Sequence, residues 1–362
     1  MSDKMQGPKE VVAESYRSTL ISPNEIPSRD VVRSKPAMRE GSSMGNAVPK
    51  VVVLEAESIR ARLARPATPH EWAVWPVSAP SEVVPRLQGA EAVMVNKIRL
   101  DRAVLDALPD LRMISVSATG TDNVDLQACR ERGIVVSHVR DYAADAVPEH
   151  AMALMLALAR NLVGYAGDVR GGEWARATQF CLIHRPVRDL SGGTLVIIGR
   201  GVLGDGLARR AEAFGMRVLF AEHRGRAETR PGYVPFDEAL SVADVISLHC
   251  PLTEGTRGLI GERELARMKS SALLVNTARG ALVDELALAA ALREGRLAGA
   301  ATDVLSQEPP RDSNPLLADD IPNLIVTPHM AWASESAMQR LADAAVANID
   351  AYLRGAPQNR VA

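Results

Sequence analysis

Short, continuous apolar runs separated by mixed polar segments dominate the chain from Lys50 onward. A strand that is covered on both faces has an almost unbroken hydrophobic sequence, whereas a half-exposed strand alternates. The runs therefore predict buried parallel strands. They lie in residues 50–56, 91–97, 111–125 and 133–139, twice within 193–224, and then in 243–253, 271–280, 297–305 and 323–329.

Helical segments separate these runs, for example at 101–108, 281–295 and 334–353. A longer helix is predicted to begin with Asp145 as N-cap and Pro148 in its first turn, where a missing N–H costs little. Its stretch Ala151–Leu162 is apolar nearly all round, which indicates a buried helix. It could pack between domains, against a second subunit, or in an ordinary core.

The alternation of strands and helices occurs in two series, before residue 140 and after residue 192. It predicts an α/β protein with two doubly wound parallel-sheet domains. Residues 1–49 differ, with five prolines, eight serines and no sustained apolar period. We expect them to form a flexible extension, or else a segment that wraps a partner subunit.

Composition narrows the classes of function. The formal net charge is −2, which does not favour a nucleic-acid partner, and the nine-residue apolar run Ala151–Ala159 is about half of the roughly 20 residues that cross a membrane. No signal-peptide core is seen near the start. Cys129, Cys181 and Cys250 lie far apart, so we expect neither a disulfide framework nor a metal site, and we expect a cytoplasmic protein.

A Gly-x-Gly-x-x-Gly motif follows the apolar strand that ends at residue 198. Gly199 permits a tight turn, Gly201 lets the backbone approach a pyrophosphate at the helix N-terminus, and Gly204 allows close helix–strand packing. Glu222 ends the next strand, 18 residues after Gly204. This context predicts a dinucleotide site.

The acid at the end of the second strand bears on the choice of cofactor. The Glu222 carboxylate is suited to the two ribose hydroxyls of NAD and would repel the 2′-phosphate of NADP. Arg224 and Arg226 follow closely and could reach a 2′-phosphate, although solvated loop charges are the simpler interpretation. We therefore expect NAD, with NADP as the alternative.

Three ionisable residues follow the later strands: Arg279, Glu308 and His329. Taken alone, each could be an ordinary surface or core residue. In a doubly wound sheet, however, the carboxyl ends of the strands face the cofactor crevice. Their joint placement after a dinucleotide motif favours a catalytic group.

The motifs together resemble the NAD-dependent D-2-hydroxyacid dehydrogenase family, from about Lys50 to the C-terminal helix. The sequence "DVLSQEPP" is most similar to the glycerate dehydrogenase/hydroxypyruvate reductase branch, as are "TPHMAWAS" and "FCL" at 180–182. The other matching blocks are "ATGTDNVDL", "RGIVV", "AVPEHAMALMLALAR", "IIGRGVLG", "DVISLHCPLTEGTRGLI" and "LLVNTARGALVDE".

The resemblance implies roles for the three residues. Arg279 would hold the substrate carboxylate and polarise the reacting carbonyl. His329 would exchange a proton with the carbonyl oxygen, and Glu308 would orient the imidazole and favour its protonated form. The implied reaction is hydride transfer between NAD(H) and a small 2-oxo or D-2-hydroxy acid, chiefly reduction of hydroxypyruvate or glyoxylate.

The resemblance also implies contacts with the substrate and the cofactor. Substrate contacts would come from Asn96, Lys97, Thr119 and Gly120. The cofactor would meet Val202 and Leu203 at the pyrophosphate, Asp303 at the nicotinamide carboxamide, and a lining of Cys250, Pro251, Thr256, Thr277 and Ala278. Cys250 is expected to line the site and not to act as a nucleophile.

The family fold implies a Rossmann-type coenzyme domain inserted in a flavodoxin-like substrate domain. Residues 50–147 and 330–362 would form the substrate domain and residues 148–329 the NAD-binding domain. A homodimer is implied as well. The alternatives are oxidation of another D-2-hydroxy acid and a dehydrogenase-like NAD-sensing interaction protein that uses residues 1–49.

Overall fold

A computed structural model describes residues 48–311 and 313–362. The interpretations of residues 1–49 therefore fall outside the described part of the chain, apart from Val48 and Pro49. Within that part, no helix combines the length and the apolar character needed to cross a membrane.

Five parallel strands form the first sheet, in the order β2-β1-β3-β4-β5. This is the strand order of flavodoxin-like sheets. The strands are β1 (Lys50–Val53), β2 (Glu71–Val74), β3 (Ala92–Val95), β4 (Met113–Val116) and β5 (Val135–Ser137).

Helices cover both faces of this sheet. One face packs against α1 (Pro80–Leu87), α2 (Arg102–Asp106) and α3 (Leu126–Arg132). The other face receives α10 (Glu335–Leu353), the last helix of the chain, whose Leu341, Ala345 and Ile349 are fully buried against it. Alternate strand residues point to opposite faces of the sheet. Each apolar run predicted from the sequence therefore packs against the helices on both faces.

Six parallel strands form the second sheet, in the order β11-β10-β9-β8-β6-β7. An isolated parallel bridge between Ala221 and Val234 adds a rudimentary strand beside β7 and completes the Rossmann order. The strands are β6 (Thr194–Ile198), β7 (Arg217–Phe220), β8 (Val245–Leu248), β9 (Leu273–Asn276), β10 (Gly299–Thr302) and β11 (Leu324–Val326).

This second sheet is also covered on both faces. Leu195 and Ile197 of β6 pack on the side of α4 (Ala146–Ala159) and α6 (Val202–Ala213). Val196 and Ile198 pack on the opposite side. That side carries α7 (Phe236–Val242), α8 (Glu262–Leu265) and α9 (Glu285–Arg293).

The predicted fold class is confirmed by the two helix-covered parallel sheets. The sequence analysis did not identify β2 or α5 (Leu162–Arg170). Asp145 is the N-cap residue of α4, but its side chain makes no capping bond and instead pairs with Arg210 at 3.2 Å. The domain boundaries at residues 147 and 329 stay predictions.

Candidate active site

The predicted site residues follow the carboxyl ends of strands from both sheets. Lys97 follows β3 and Gly120 follows β4, whereas Arg279, Asp303 and His329 follow β9, β10 and β11. The carboxyl ends of parallel strands share one edge, so each sheet collects its polar residues there.

His329 and Glu308 form a direct pair. The imidazole Nδ1 lies 2.6 Å from a carboxylate oxygen of Glu308, whose other oxygen accepts a bond from the Leu305 amide at 2.8 Å. Although burial alone would raise the pKa of Glu308, the bonds from His329 and Leu305 outweigh it, and the pKa is lowered. The carboxylate therefore stays ionised beside an imidazole whose Nε2 is the nitrogen left for substrate.

The backbone at His329 lies in the left-handed region, with φ of 53°. A non-glycine residue adopts this region only when its surroundings hold it there. The His329 amide donates to the Asp303 carbonyl at 2.7 Å, and the Trp332 indole donates to the His329 carbonyl at 3.0 Å. The Asp303 carboxylate accepts the amides of Met330 and Ala331. Asp303 and Trp332 thus fix the turn that carries His329 from two sides.

Arg279 lies opposite the loop that follows β4. A β-carbon on Gly120 would lie 2.5 Å from Nη2 of Arg279, so a side chain there would displace the guanidinium from its present position. Asp122 is 3.9 Å from Arg279, and its side chain is 89% exposed, which makes this a weak ion pair. The guanidinium therefore stays available for a substrate carboxylate, which it can bind through two parallel N–H groups.

The loop after β3 is held by a residue that the sequence analysis did not find. One carboxylate oxygen of Glu55 accepts the amides of Asn96, Lys97 and Ile98 at 2.6, 2.7 and 2.9 Å. Partial removal from water and the charge of Arg279 lower the pKa of the Lys97 amine, and the charge of Glu308 opposes them. Lys97 therefore belongs electrostatically to the same cluster.

Two other predicted substrate contacts have protein partners in the structure. The side-chain amide of the buried Asn96 donates to the Ser58 hydroxyl at 3.2 Å. The Thr119 hydroxyl donates to the Val139 carbonyl at 2.9 Å. For both residues, contact with a substrate stays a prediction.

The glycine motif has the geometry of a nucleotide loop. Gly199 has φ of 107°, and a β-carbon there would lie 2.5 Å from the Cys250 amide nitrogen. At Gly204 a β-carbon would overlap the carbonyl oxygen of Gly199, so the helix can approach the strand only without one. Val202 and Leu203 open α6 directly after Gly201. Their free amides at the helix N-terminus suit a pyrophosphate.

A cavity of about 580 Å³ adjoins this loop. Its walls include Gly199, Gly201, Glu222, Cys250, Pro251 and Thr256 of the predicted set. Burial raises the pKa of the Cys250 thiol to about 11, which disfavours a thiolate near neutral pH. That Cys250 lines the cofactor without acting as a nucleophile stays a prediction.

The cavity and the adjoining strand ends fit a dinucleotide. Buried polar atoms without a protein partner include Nδ1 of His249, in the cavity wall, and the hydroxyl of Thr277, just after β9. Groups of this kind are costly unless something binds them. Ala278 follows Thr277, and its amide is already bonded to Asn276. The carboxylate of Asp303 is 1% exposed and holds the 329–331 turn, so its contact with a carboxamide stays a prediction.

Glu222 is not a free carboxylate. Arg230 binds it through Nε at 2.8 Å and Nη2 at 2.7 Å, and this pairing lowers the pKa of Glu222 to about 2. Arg226 lies 3.8 Å from the Glu222 carboxylate, whereas Arg224 lies 3.6 Å from the carboxylate of Glu264. Arg224 and Arg226 were candidates from the sequence, but Arg230 was not. No sequence pattern predicts that a residue eight positions further along a loop pairs with Glu222.

A doubly wound domain with this glycine loop, next to a carboxylate–histidine pair and an arginine, defines a dehydrogenase that acts on a small acid. The model of the "D-isomer specific 2-hydroxyacid dehydrogenase, NAD binding domain" family matches residues 152–331. The chain belongs to this family of NAD-dependent oxidoreductases.

Individual relatives narrow the similarity further. A glycerate dehydrogenase from Methylorubrum extorquens is 49% identical over 313 residues, which cover 86% of this chain and 98% of the relative. A hydroxypyruvate reductase from Blautia hydrogenotrophica is 36% identical, over 77% of this chain and 87% of its own length. The structure of an NADPH-dependent glyoxylate/hydroxypyruvate reductase from Sinorhizobium meliloti superimposes with a TM-score of 0.73 at 27% identity, covering 87% and 98%.

Proposed function

We propose that the protein reduces a small 2-oxo acid, hydroxypyruvate or glyoxylate, to the D-2-hydroxy acid with NADH. The observation that carries the proposal is the 2.6 Å pair of His329 and Glu308, in one charge cluster with Lys97 and Arg279. The names of the relatives support the same substrates.

In the proposed reaction Arg279 binds the substrate carboxylate through two N–H groups and polarises the neighbouring carbonyl. The nicotinamide, when bound, would supply the hydride. Nε2 of His329 donates a proton to the carbonyl oxygen as negative charge develops there. The Glu308 carboxylate accepts a bond from Nδ1, which keeps the imidazole oriented with Nε2 toward the substrate. Lys97 adds positive charge beside Arg279 at the carboxylate.

The test is loss of NADH absorbance with a panel of hydroxypyruvate, glyoxylate, pyruvate and 2-oxoglutarate. We expect turnover with the first two, and a decrease of about 100-fold or more in kcat for His329→Ala. Arg279→Lys keeps the charge but loses the planar pair of donors, so we expect a raised KM for the oxo acid with NADH binding retained. Bound NADH with no turnover of any panel member would contradict the proposal.

We also propose the domain layout that the resemblance implies: residues 50–147 with 330–362 as the substrate domain, and residues 148–329 as the coenzyme domain. Packing of α10 on the first sheet supports the return of the chain. Cytoplasmic localisation and a homodimer are part of the proposal. Exposed apolar side chains support the dimer, and they concentrate in one stretch: Leu162, Val163, Val169, Trp174, Phe180, Ile183 and Val187.

A further inference from the structure

The carboxylate of Glu222 already accepts as many hydrogen bonds as a carboxylate can. Oε1 accepts the His223 amide at 2.8 Å and Nη2 of Arg230 at 2.7 Å. Oε2 accepts the Arg230 amide at 3.0 Å and its Nε at 2.8 Å. A carboxylate has about four acceptor positions, and all four are filled. With its side chain 1% exposed, Glu222 has no lone pair left for ribose hydroxyls unless Arg230 moves.

Arg230 presents the free donors at this place. Only Nε and Nη2 are used for Glu222, so Nη1 and a second hydrogen of Nη2 remain. The guanidinium stacks on the Tyr233 ring at 4.0 Å, which fixes its plane, and it is 37% exposed. Glu222, Arg230 and Tyr233 all line the cofactor cavity. The adenosine ribose would therefore meet an oriented cation and not an anion.

We propose that Arg230 is a cofactor-specificity residue that binds the 2′-phosphate of NADPH, so that the enzyme uses NADPH as well as NADH. A guanidinium binds a phosphate through parallel charge-assisted bonds. The same donors also reach the oxygen of a free 2′-hydroxyl, which is an acceptor, and this preserves the use of NADH. The inference rests on the proposed function, since it concerns the cofactor of that reaction.

The other arginines in or near the cavity are less suited to this role. Arg224 pairs with the buried carboxylate of Glu264, and Arg226 makes no hydrogen bond to Glu222 at 3.8 Å. Arg200 pairs with Asp205 at 3.2 Å and covers the Phe220 ring. Among the arginines of the described residues, Arg230 alone hydrogen-bonds the carboxylate that would otherwise exclude the phosphate.

The experiment compares wild type, Arg230→Gln and Arg226→Gln, and measures the ratio of kcat/KM for NADPH to that for NADH. We expect Arg230→Gln to lower this ratio by about 10- to 100-fold, which is the loss of one or two charge-assisted bonds together with exposure of the Glu222 charge. Arg226→Gln removes a charge that lies 3.8 Å from Glu222 without a hydrogen bond to it, and should leave the ratio within about threefold of wild type.

The dissociation constants of NADPH and NADH, measured by calorimetry without an oxo acid, give a second readout. Arg230→Gln should weaken the binding of NADPH more than the binding of NADH. These constants can be measured even if no 2-oxo acid is turned over, and that absence of turnover would contradict the proposed function alone. An equal loss of both cofactors in Arg230→Gln, an unchanged ratio, or an equal shift in Arg226→Gln would overturn the role of Arg230.

Discussion

At the scale of single residues, His329, the proposed proton donor, depends on its neighbours for its backbone conformation. His329 has φ of 53°, a conformation that costs a non-glycine residue roughly 1 kcal/mol or more. The indole N–H of Trp332 on the His329 carbonyl and the carboxylate of Asp303 on the next two amides hold this conformation. Trp332 is therefore a positioning residue that acts through the backbone.

Replacing Trp332 with phenylalanine tests this role. The ring that packs edge-on against Tyr142 would stay, but the bond to the His329 carbonyl would be lost. We expect kcat to decrease by about tenfold, because small displacements of a proton donor are costly, with little change in the dissociation constant of NADH.

Steady-state kinetics measures kcat, and NADH fluorescence titration measures the dissociation constant of NADH. A parallel loss of NADH affinity would mean that Trp332 supports the whole cleft and not the histidine, and an unchanged kcat would remove it from the mechanism altogether.

The sequence was sufficient to select Arg279, Glu308 and His329, because each follows a strand whose apolar run is easily recognised. It was insufficient for Arg230 and Glu55, which act from loops on groups eight and about forty residues away. Such pairings depend on how loops fold back, and no periodicity records that. Glu222 shows the effect: its position was predicted, but its pairing with Arg230 was not.

At the scale of elements, buried strands were predictable and peripheral ones were not. Strands β3, β4, β8 and β9 are buried at every position, and their apolar runs show it. By contrast, β2 is an edge strand that pairs with β1 alone and buries none of its four residues fully. Its apolar run, residues 72–74, is short and lies close to Pro76, which argues against a central strand.

The packing of α4 on α6 depends on a small residue. A β-carbon on Gly206 would lie 2.8 Å from the Pro148 ring and 3.2 Å from the Ala144 carbonyl oxygen. The ring is rigid and the carbonyl belongs to the backbone, so neither can move aside easily. Close approach of these two helices therefore requires glycine at this position.

We expect Gly206→Ala to lower the free energy of unfolding by about 1–3 kcal/mol, even though alanine has the higher helix propensity. Arg209→Ala, on the exposed face of the same helix, is the matched control and should stay within about 0.5 kcal/mol of wild type. Urea denaturation of the three proteins measures the difference. A more stable Gly206→Ala protein would show that the helices can separate without cost.

At the scale of the whole molecule, several large apolar side chains between residues 162 and 187 are exposed. Leu162, Val163 and Phe180 are 54%, 55% and 89% exposed. A concentration of exposed apolar side chains is typical of subunit interfaces.

We expect light scattering to give about twice the subunit mass of 38.8 kDa. The double variant Leu162→Asp with Val163→Asp should shift the protein toward the single-subunit mass, because a buried charge at an interface is costly. Leu286→Asp, at a leucine that is 72% exposed on α9, should leave the assembly unchanged. A monomeric wild type at micromolar concentration would contradict the dimer.

The position of α10 also determines the order in which the two sheets can receive their covering helices during synthesis. We call each sheet with its helices a lobe. All strands of the first sheet have been synthesised by residue 140. The helix that covers Val51, Met94 and Met113 is synthesised only after residue 334. The second sheet and its helices, from α4 to β11, are finished in between. The lobe that is translated first is thus the last to be closed, and for about 200 residues of elongation its apolar face lacks α10.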